Sequence, residues 1–125
     1  MIDWNKERPL IEKESGIYHV DPMFIETIRH CENGGEGKEF GVLSVSAPTY
    51  QDQLRITCET VAHRLVTYGV NPLIRTVSGR IRYSSNWIAY FAHIWAPAKA
   101  DNDPTNLNAN WYQNALKYYS DRNPA

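Results

Sequence analysis

Residues 20–35 of this chain read VDPMFIETIRHCENGG. Asp21 is a favourable helix N-cap, and Pro22 occupies the first helical position, where a missing N–H costs nothing. Apolar side chains then recur on one helical face, at Phe24, Ile25 and Ile28. The stretch therefore predicts an amphipathic helix that ends on a glutamate followed by asparagine and glycine.

That glutamate, Glu32, lies seven residues after Ile25 and four after Ile28, so it extends the apolar face. A carboxylate on such a face is costly unless it is neutral or partnered. Partial burial is expected to raise the pKa of Glu32 and keep it protonated near neutrality, as a general acid requires. The alternative is a glutamate that turns into solvent where the helix frays at Asn33.

Length and composition limit the possible classes. A chain of 125 residues is large enough for one core, and we expect a single domain over residues 1–125. A net charge of −1 argues against a broad nucleic-acid footprint. No apolar run reaches the roughly 18 residues of a membrane span, and residues 1–8 lack the apolar core of a signal peptide. We therefore expect a soluble monomer with no membrane span and no nucleic-acid partner, which is either made in the cytoplasm as such or trimmed from something longer.

The cysteines and histidines indicate no metal and no other cofactor. Two cysteines do not make a disulfide framework, and two buried free thiols are expected at Cys31 and Cys58. A bridge between them remains open if their helices pack together at those positions. The four histidines are scattered, and no Cys/His spacing suggests zinc.

The chain is expected to be mainly helical with a small β element. An N-terminal arm precedes a break at Ser15-Gly16. Residues 34–47 begin with glycines and continue with a short alternating pattern, which favours a small β-hairpin or an extended loop after the helix that ends at Glu32. Pro48 then opens the longest helix, over residues 49–68.

The second half is expected to contain two further helices. Residues 73–83 are ambiguous, with Ser78-Gly79 able to join two short extended pieces. Ser84 or Ser85 caps a helix that ends before Pro97, and a polar loop at 101–106 leads to a last helix. Aromatic residues crowd this half; most of them should fill a core, while two or three line a cleft suited to sugar rings.

These residues resemble a known family. The runs YHVDP, IETI and ENGG within residues 18–35 look like the helix of soluble lytic transglycosylases and goose-type lysozymes, where V-D-P-x-L-x-x-A-I-x-x-x-E-S-G ends on the catalytic glutamate. The segment GVLSVSAPTY, residues 41–50, is similar to that family's G-L-M-Q-V-M-P-A-T. Gly41 and Thr49 match, Ser44 stands where the family has glutamine, and the proline is displaced by one position. The resemblance covers residues 18–68 and, more loosely, 84–119, where the family's Y-N-x-G is absent.

The resemblance implies a lysozyme-like α+β fold and a peptidoglycan-cleaving glycosidase that acts on the β-1,4 bond between N-acetylmuramic acid and N-acetylglucosamine. Glu32 would be its catalytic acid and base, and Ser44, Tyr90 and Trp95 would contact the glycan strand. A lytic transglycosylase needs no second carboxylate, whereas a hydrolase needs a water held by another group. No carboxylate stands out for that role among Glu36, Glu39 and Glu59, so the single-glutamate reaction is favoured.

Two other classes stay open. One is a lysozyme-like module that binds glycan or serves as a structural component of a cell-wall-penetrating or phage-tail assembly, without turnover. The other is a small helical interaction domain in which Glu32 has no chemical role. Both the glycosidase and the glycan-binding module would require the chain to reach the bacterial cell wall by export, by lysis or in a virion.

Overall fold

The computed structural model describes residues 1–96 and 107–124. The described elements are helices α1 (Trp4–Tyr18), α2 (Pro22–Glu32) and α3 (Tyr50–Thr67), strands β1 (Leu73–Arg75) and β2 (Ile81–Tyr83), helix α4 (Ser85–Trp95), a 3₁₀ turn (Leu107–Asn110) and helix α5 (Trp111–Arg122). The chain divides into two compact units, Met1–His63 and Arg64–Ala125. The expected mainly helical fold with a small antiparallel hairpin is confirmed.

Helix α1 replaces the broken arm expected from the sequence. Asp3 caps it by accepting a hydrogen bond from the Lys6 backbone N–H, and the helix continues through Gly16 to Tyr18. The expected break at Ser15-Gly16 is therefore wrong. Ile11 and Ser15 are buried on this helix, and α1 packs against α2. Tertiary packing of this face outweighs the cost of about 1 kcal/mol for one glycine in a helix.

Helix α2 forms as its local signals predict. The Asp21 carboxylate accepts from the Met23 backbone N–H at 2.9 Å, and Pro22 is the first helical residue. The apolar face is fully buried, at Phe24, Ile25 and Ile28. Asn33 ends the helix in the left-handed conformation, with φ of 43°, and donates its N–H to the Arg29 carbonyl.

Residues 33–49 form a loop with turns, which is the extended-loop alternative of the prediction. The two strands come later, within the stretch that the sequence left ambiguous. They pair antiparallel, with Leu73 opposite Tyr83 and Arg75 opposite Ile81. Gly79, with φ of +89°, supplies the left-handed residue in the turn between them.

The second unit has an aromatic core. The Ser84 hydroxyl caps α4 by accepting from the Trp87 backbone N–H at 3.1 Å. Trp87, Ile88 and Phe91 are fully buried, and α4 packs on α5. The predicted loop at 101–106 and Pro97 lie outside the described residues. Among the residues that are described, no helix is both long and apolar enough to cross a membrane.

Candidate active site

Glu32 is the last residue of α2 and is half-buried. The turn before it carries Ile28, which is fully enclosed, whereas Asn33 after it is exposed. Glu32 therefore lies at the border between the core of the first unit and solvent. A carboxyl group in that position is shielded on one side and accessible to a ligand on the other.

Gly41 lies directly against the side chain of Glu32. A Cβ atom on Gly41 would lie 2.7 Å from the Glu32 Cδ atom and would overlap Oε1. The backbone of Gly41 is also left-handed, with φ of +76°, a conformation that side chains disfavour. Only glycine satisfies both conditions, so the Glu32 carboxyl group packs on bare backbone of the loop that follows α2.

Gln53 on α3 fixes this loop in place. Its Oε1 accepts from the backbone N–H groups of Phe40 and Val42 at 3.3 and 3.1 Å. Its Nε2 donates to the carbonyls of Val42 and Ala47, both at 2.8 Å. Gln53 is fully buried, and its bonds to Phe40 and Ala47 are buried while the two to Val42 are partly buried. The residues on either side of Gly41 are thus bonded to one amide group.

A buried charge network supports the other side of the loop. Arg29 on α2 pairs with Glu7 on α1 through two hydrogen bonds, Nε–Oε1 at 2.7 Å and Nη2–Oε2 at 3.1 Å. The Tyr50 hydroxyl donates to the same Glu7 Oε1 at 2.9 Å, and Arg29 Nη1 donates to the Glu39 carbonyl at 3.3 Å. Burial, followed by the hydrogen bond to Glu7, raises the pKa of Tyr50 well above its ordinary value. Charge-assisted hydrogen bonds therefore join helices α1 and α2 to the loop.

Gln53, Glu7 and Arg29 are not among the residues that the sequence singled out. Arg29 carried a usable signal, because it follows Ile25 by four residues and therefore falls on the apolar face, where a charge needs a partner. Gln53 carried none, since its bonding partners are backbone groups of the loop, which no side-chain pattern reveals.

A pocket of about 490 Å³ opens beside this network. Its lining includes the ion pair of Glu7 and Arg29, together with Tyr50, and the loop residues Glu36 and Glu39. The Glu39 Oε1 atom is buried without a hydrogen-bond partner in the part of the chain that is described. Glu32 does not line this pocket. The pocket and the Glu32 carboxyl group are separate features of the loop region.

Ser44 lies three residues beyond Gly41 on the same loop and is exposed. Its hydroxyl shares a hydrogen bond with the Ser46 hydroxyl at 2.7 Å and accepts from the Ser46 backbone N–H at 3.2 Å. These bonds form a local turn. The role of Ser44 in binding glycan stays a prediction.

Tyr90 and Trp95 lie on α4 in the second unit, and both are half-buried. The Tyr90 hydroxyl bonds the Thr67 hydroxyl at 2.9 Å, and its ring lies 5.0 Å from that of Tyr68. Trp95 stacks on Phe91 with ring centroids 5.4 Å apart. Neither ring is enclosed in the core, so each keeps an accessible part. Their joint action with Glu32 stays a prediction.

The two cysteines are free. Cys58 is fully buried as expected, whereas Cys31 is only half-buried. Burial raises the pKa of both thiols to about 12, and for Cys31 the neighbouring Glu32 charge adds to the effect. Neutral thiols at physiological pH are poor nucleophiles and poor metal ligands.

The described part of the chain contains no cluster of candidate metal ligands. Over residues 1–96 and 107–124, no three His, Cys, Asp or Glu side chains converge as ligands. The titratable side chain beside Gly41 is the Glu32 carboxyl group. In comparisons with known proteins, no family model, no curated protein and no solved structure matches this chain.

Proposed function

We propose that this chain cleaves the glycan strands of peptidoglycan at the β-1,4 bond between N-acetylmuramic acid and N-acetylglucosamine, with Glu32 as the acid and base. One observation carries the proposal: the half-buried Glu32 carboxyl group ends a helix with a buried apolar face and packs on the bare backbone of Gly41. The same glutamate and glycine carry the resemblance to soluble lytic transglycosylases. The site of action would be the bacterial cell wall.

The position of Glu32 suits a proton donor. It lies at the carbonyl end of α2, where the helix dipole carries a partial negative charge. That charge disfavours a negative charge on the Glu32 carboxyl group. Its carboxyl group is held by the Gly41 contact, and Gly41 is flanked by the backbone groups that Gln53 binds. A fixed carboxyl group places its proton on the glycosidic oxygen with little reorganisation.

The proposed reaction begins when Glu32 donates its proton to the glycosidic oxygen as the bond to the muramic C1 breaks. Positive charge then develops at C1 and the ring oxygen. The carboxylate left on Glu32 accepts the proton of the muramic 6-hydroxyl, whose oxygen closes a 1,6-anhydro ring on C1. The proton thus returns to Glu32, and no water is consumed.

The surroundings of the other carboxylates favour this single-glutamate reaction over hydrolysis. Glu59 accepts from the Tyr18 hydroxyl and from Arg55, both at 3.0 Å, so it is engaged elsewhere. Glu39 lines the separate pocket, and Glu36 is an exposed loop residue that also lines it. The proposed glycan contacts remain Ser44, Tyr90 and Trp95.

A second candidate is a glycan-binding or structural module without turnover. The observation that favours it is the Ser44 hydroxyl, which is shorter than the family's glutamine and is bonded to Ser46. A site that lacks the longer amide could hold glycan without reaching the transition state.

Purified peptidoglycan sacculi separate these candidates. The wild-type chain should release soluble fragments with 1,6-anhydromuramic ends, identified by mass spectrometry, and Glu32→Gln should release none. Glu36→Gln, a nearby exposed carboxylate, is the matched control and should cleave like the wild type. Reducing ends would show hydrolysis, binding without release would support the second candidate, and neither binding nor release would overturn both.

A further inference from the structure

Charge is distributed unevenly along the chain. Residues 1–59 contain eleven Asp and Glu against six Lys and Arg. No Asp or Glu then occurs until Asp101, although the intervening stretch contains five basic residues, Arg64, Arg75, Arg80, Arg82 and Lys99. The β-hairpin lies in the middle of this basic stretch. It therefore presents positive charge with no acidic neighbour in sequence.

The same region exposes large apolar side chains. Val77 is fully exposed in the turn between β1 and β2, at 96% of its maximum area. Further exposed apolar residues lie on and just before the hairpin: Val66, Val70, Leu73, Ile74 and Ile81. Such a concentration of exposed apolar side chains commonly marks a surface that binds a partner.

The base of the hairpin is anchored, while its tip is open. Arg82 is buried and donates to the Asn123 carbonyl at 2.7 Å and to the Ser120 hydroxyl at 3.2 Å. The Tyr83 backbone N–H donates to the Tyr119 hydroxyl at 2.9 Å. These bonds attach β2 to α5 and to Asn123 directly after it, whereas Val77, Ser78 and Gly79 in the turn are exposed.

Exposed arginines flank the tip. Arg75 ends β1 and donates to the Gly79 carbonyl at 2.9 Å across the turn, and Arg80 immediately precedes β2. Successive strand residues point to opposite faces. Leu73 and Ile81 therefore share one face and Ile74 takes the other, while Val77 occupies the turn. Leu73 and Ile74 lie opposite Tyr83 and Arg82 at the anchored base, so the apolar side chains at the tip itself are those of Val77 and Ile81.

We propose that the tip of the β1–β2 hairpin, residues 75–81, binds the surface of an anionic lipid bilayer. Val77 and Ile81 would enter the boundary between headgroups and acyl chains, and Arg75 and Arg80 would pair with lipid phosphates. A protein partner reads one face or one strand edge. A bilayer surface instead accepts exposed apolar side chains at a turn with basic side chains beside them, which fits Val77 and Ile81 next to Arg75 and Arg80. This inference uses other residues than the proposed glycan cleavage and does not depend on it.

Vesicle sedimentation tests the inference with the full chain. The chain should sediment with vesicles of phosphatidylcholine that contain about 30 mol% phosphatidylglycerol, and should stay in solution with pure phosphatidylcholine and at high salt. Val77→Ser and Arg80→Gln change exposed side chains and should fold normally. Each should weaken vesicle binding, and Arg80→Gln should do so about fivefold.

Matched controls come from the first unit. Val45 is as exposed as Val77, at 99%, so Val45→Ser should bind vesicles like the wild type. Lys38→Gln removes one exposed charge and should also have no effect. Absence of binding to the anionic vesicles, or binding that both hairpin variants leave unchanged, would overturn the inference. Self-association that Val77→Ser abolishes, without vesicle binding, would also overturn it and would assign the tip to a second copy of the chain.

Discussion

The two compact units of this chain are stabilised by different kinds of interaction. In Met1–His63, buried polar groups bind one segment to another, through the Glu7–Arg29 pair and the four bonds of Gln53. In Arg64–Ala125, buried aromatic rings fill the core around Trp87. The first kind of contact is directional and the second is adaptable.

The difference indicates what each unit has to achieve. A loop without strand partners must still satisfy its backbone, and Gln53 does so around Gly41. The result is a loop that holds its position beside Glu32. Aromatic stacking supplies stability without fixing any loop so closely. Substitutions in the two units should therefore differ in the property they change, stability or turnover, as well as in the size of the change.

The largest loss of stability is expected for Trp87→Ala. Trp87 is fully buried, packs on Tyr83 and Phe91 with centroid distances of 4.7 and 5.3 Å, and donates to the Arg64 carbonyl. Removing the ring should lower the free energy of unfolding by about 3–5 kcal/mol, measured by urea titration. Trp4→Ala, at a half-buried tryptophan, is the control and should cost clearly less. Equal losses would contradict an aromatic core centred on Trp87.

Arg29→Met should cost nearly as much for a different reason. The change leaves the Glu7 carboxylate buried with only the Tyr50 hydroxyl among its observed partners, so the free energy of unfolding should fall by about 3–5 kcal/mol. Arg55→Met removes an exposed ion pair with Glu59, which solvent screens, and should cost far less. Replacing both Glu7 and Arg29 by leucine and methionine should recover part of the loss. No recovery would mean that packing, and not the unpaired charge, sets the cost.

Gln53→Leu should affect stability less and function more. It leaves two N–H groups and two carbonyls of the loop without their partner, at a cost of about 2–3 kcal/mol after relaxation. Because the loop carries Gly41, turnover of peptidoglycan should also fall under conditions where the variant is fully folded. Gln51→Leu on the same helix loses one hydrogen bond to Glu14 and should retain turnover. Full turnover by Gln53→Leu would show that the hydrogen bonds between Gln53 and the loop do not contribute to the site.

Local signals in the sequence predicted α2, and within the otherwise ambiguous stretch 73–83 they indicated two short extended pieces joined at Ser78-Gly79. Asp21, Pro22 and the apolar stripe act within one helix, and Ser78-Gly79 acts within one turn. For residues 34–47 the alternating pattern left a small hairpin and an extended loop both open, and the structure has the loop. There the Gln53 amide takes the place of a strand, since it both accepts from and donates to Val42.

Long-range contacts account for the rest. Gln53 and Val42 are eleven residues apart, and Glu7 and Arg29 are twenty-two apart, so no local pattern could pair them. Gly16 remains helical because its neighbours Ile11 and Ser15 are buried by packing. Glu32 could be singled out because its signal, a carboxylate on an apolar face, is itself local.

Glu32→Gln provides the most direct test of the central claim, with the smallest expected change in stability. The substitution keeps the shape beside Gly41 and removes the transferable proton. Turnover of purified peptidoglycan should fall by about 100- to 10,000-fold, while the free energy of unfolding and the binding of glycan stay close to those of the wild type. Turnover within about threefold of the wild type would contradict the assignment of Glu32 as the acid.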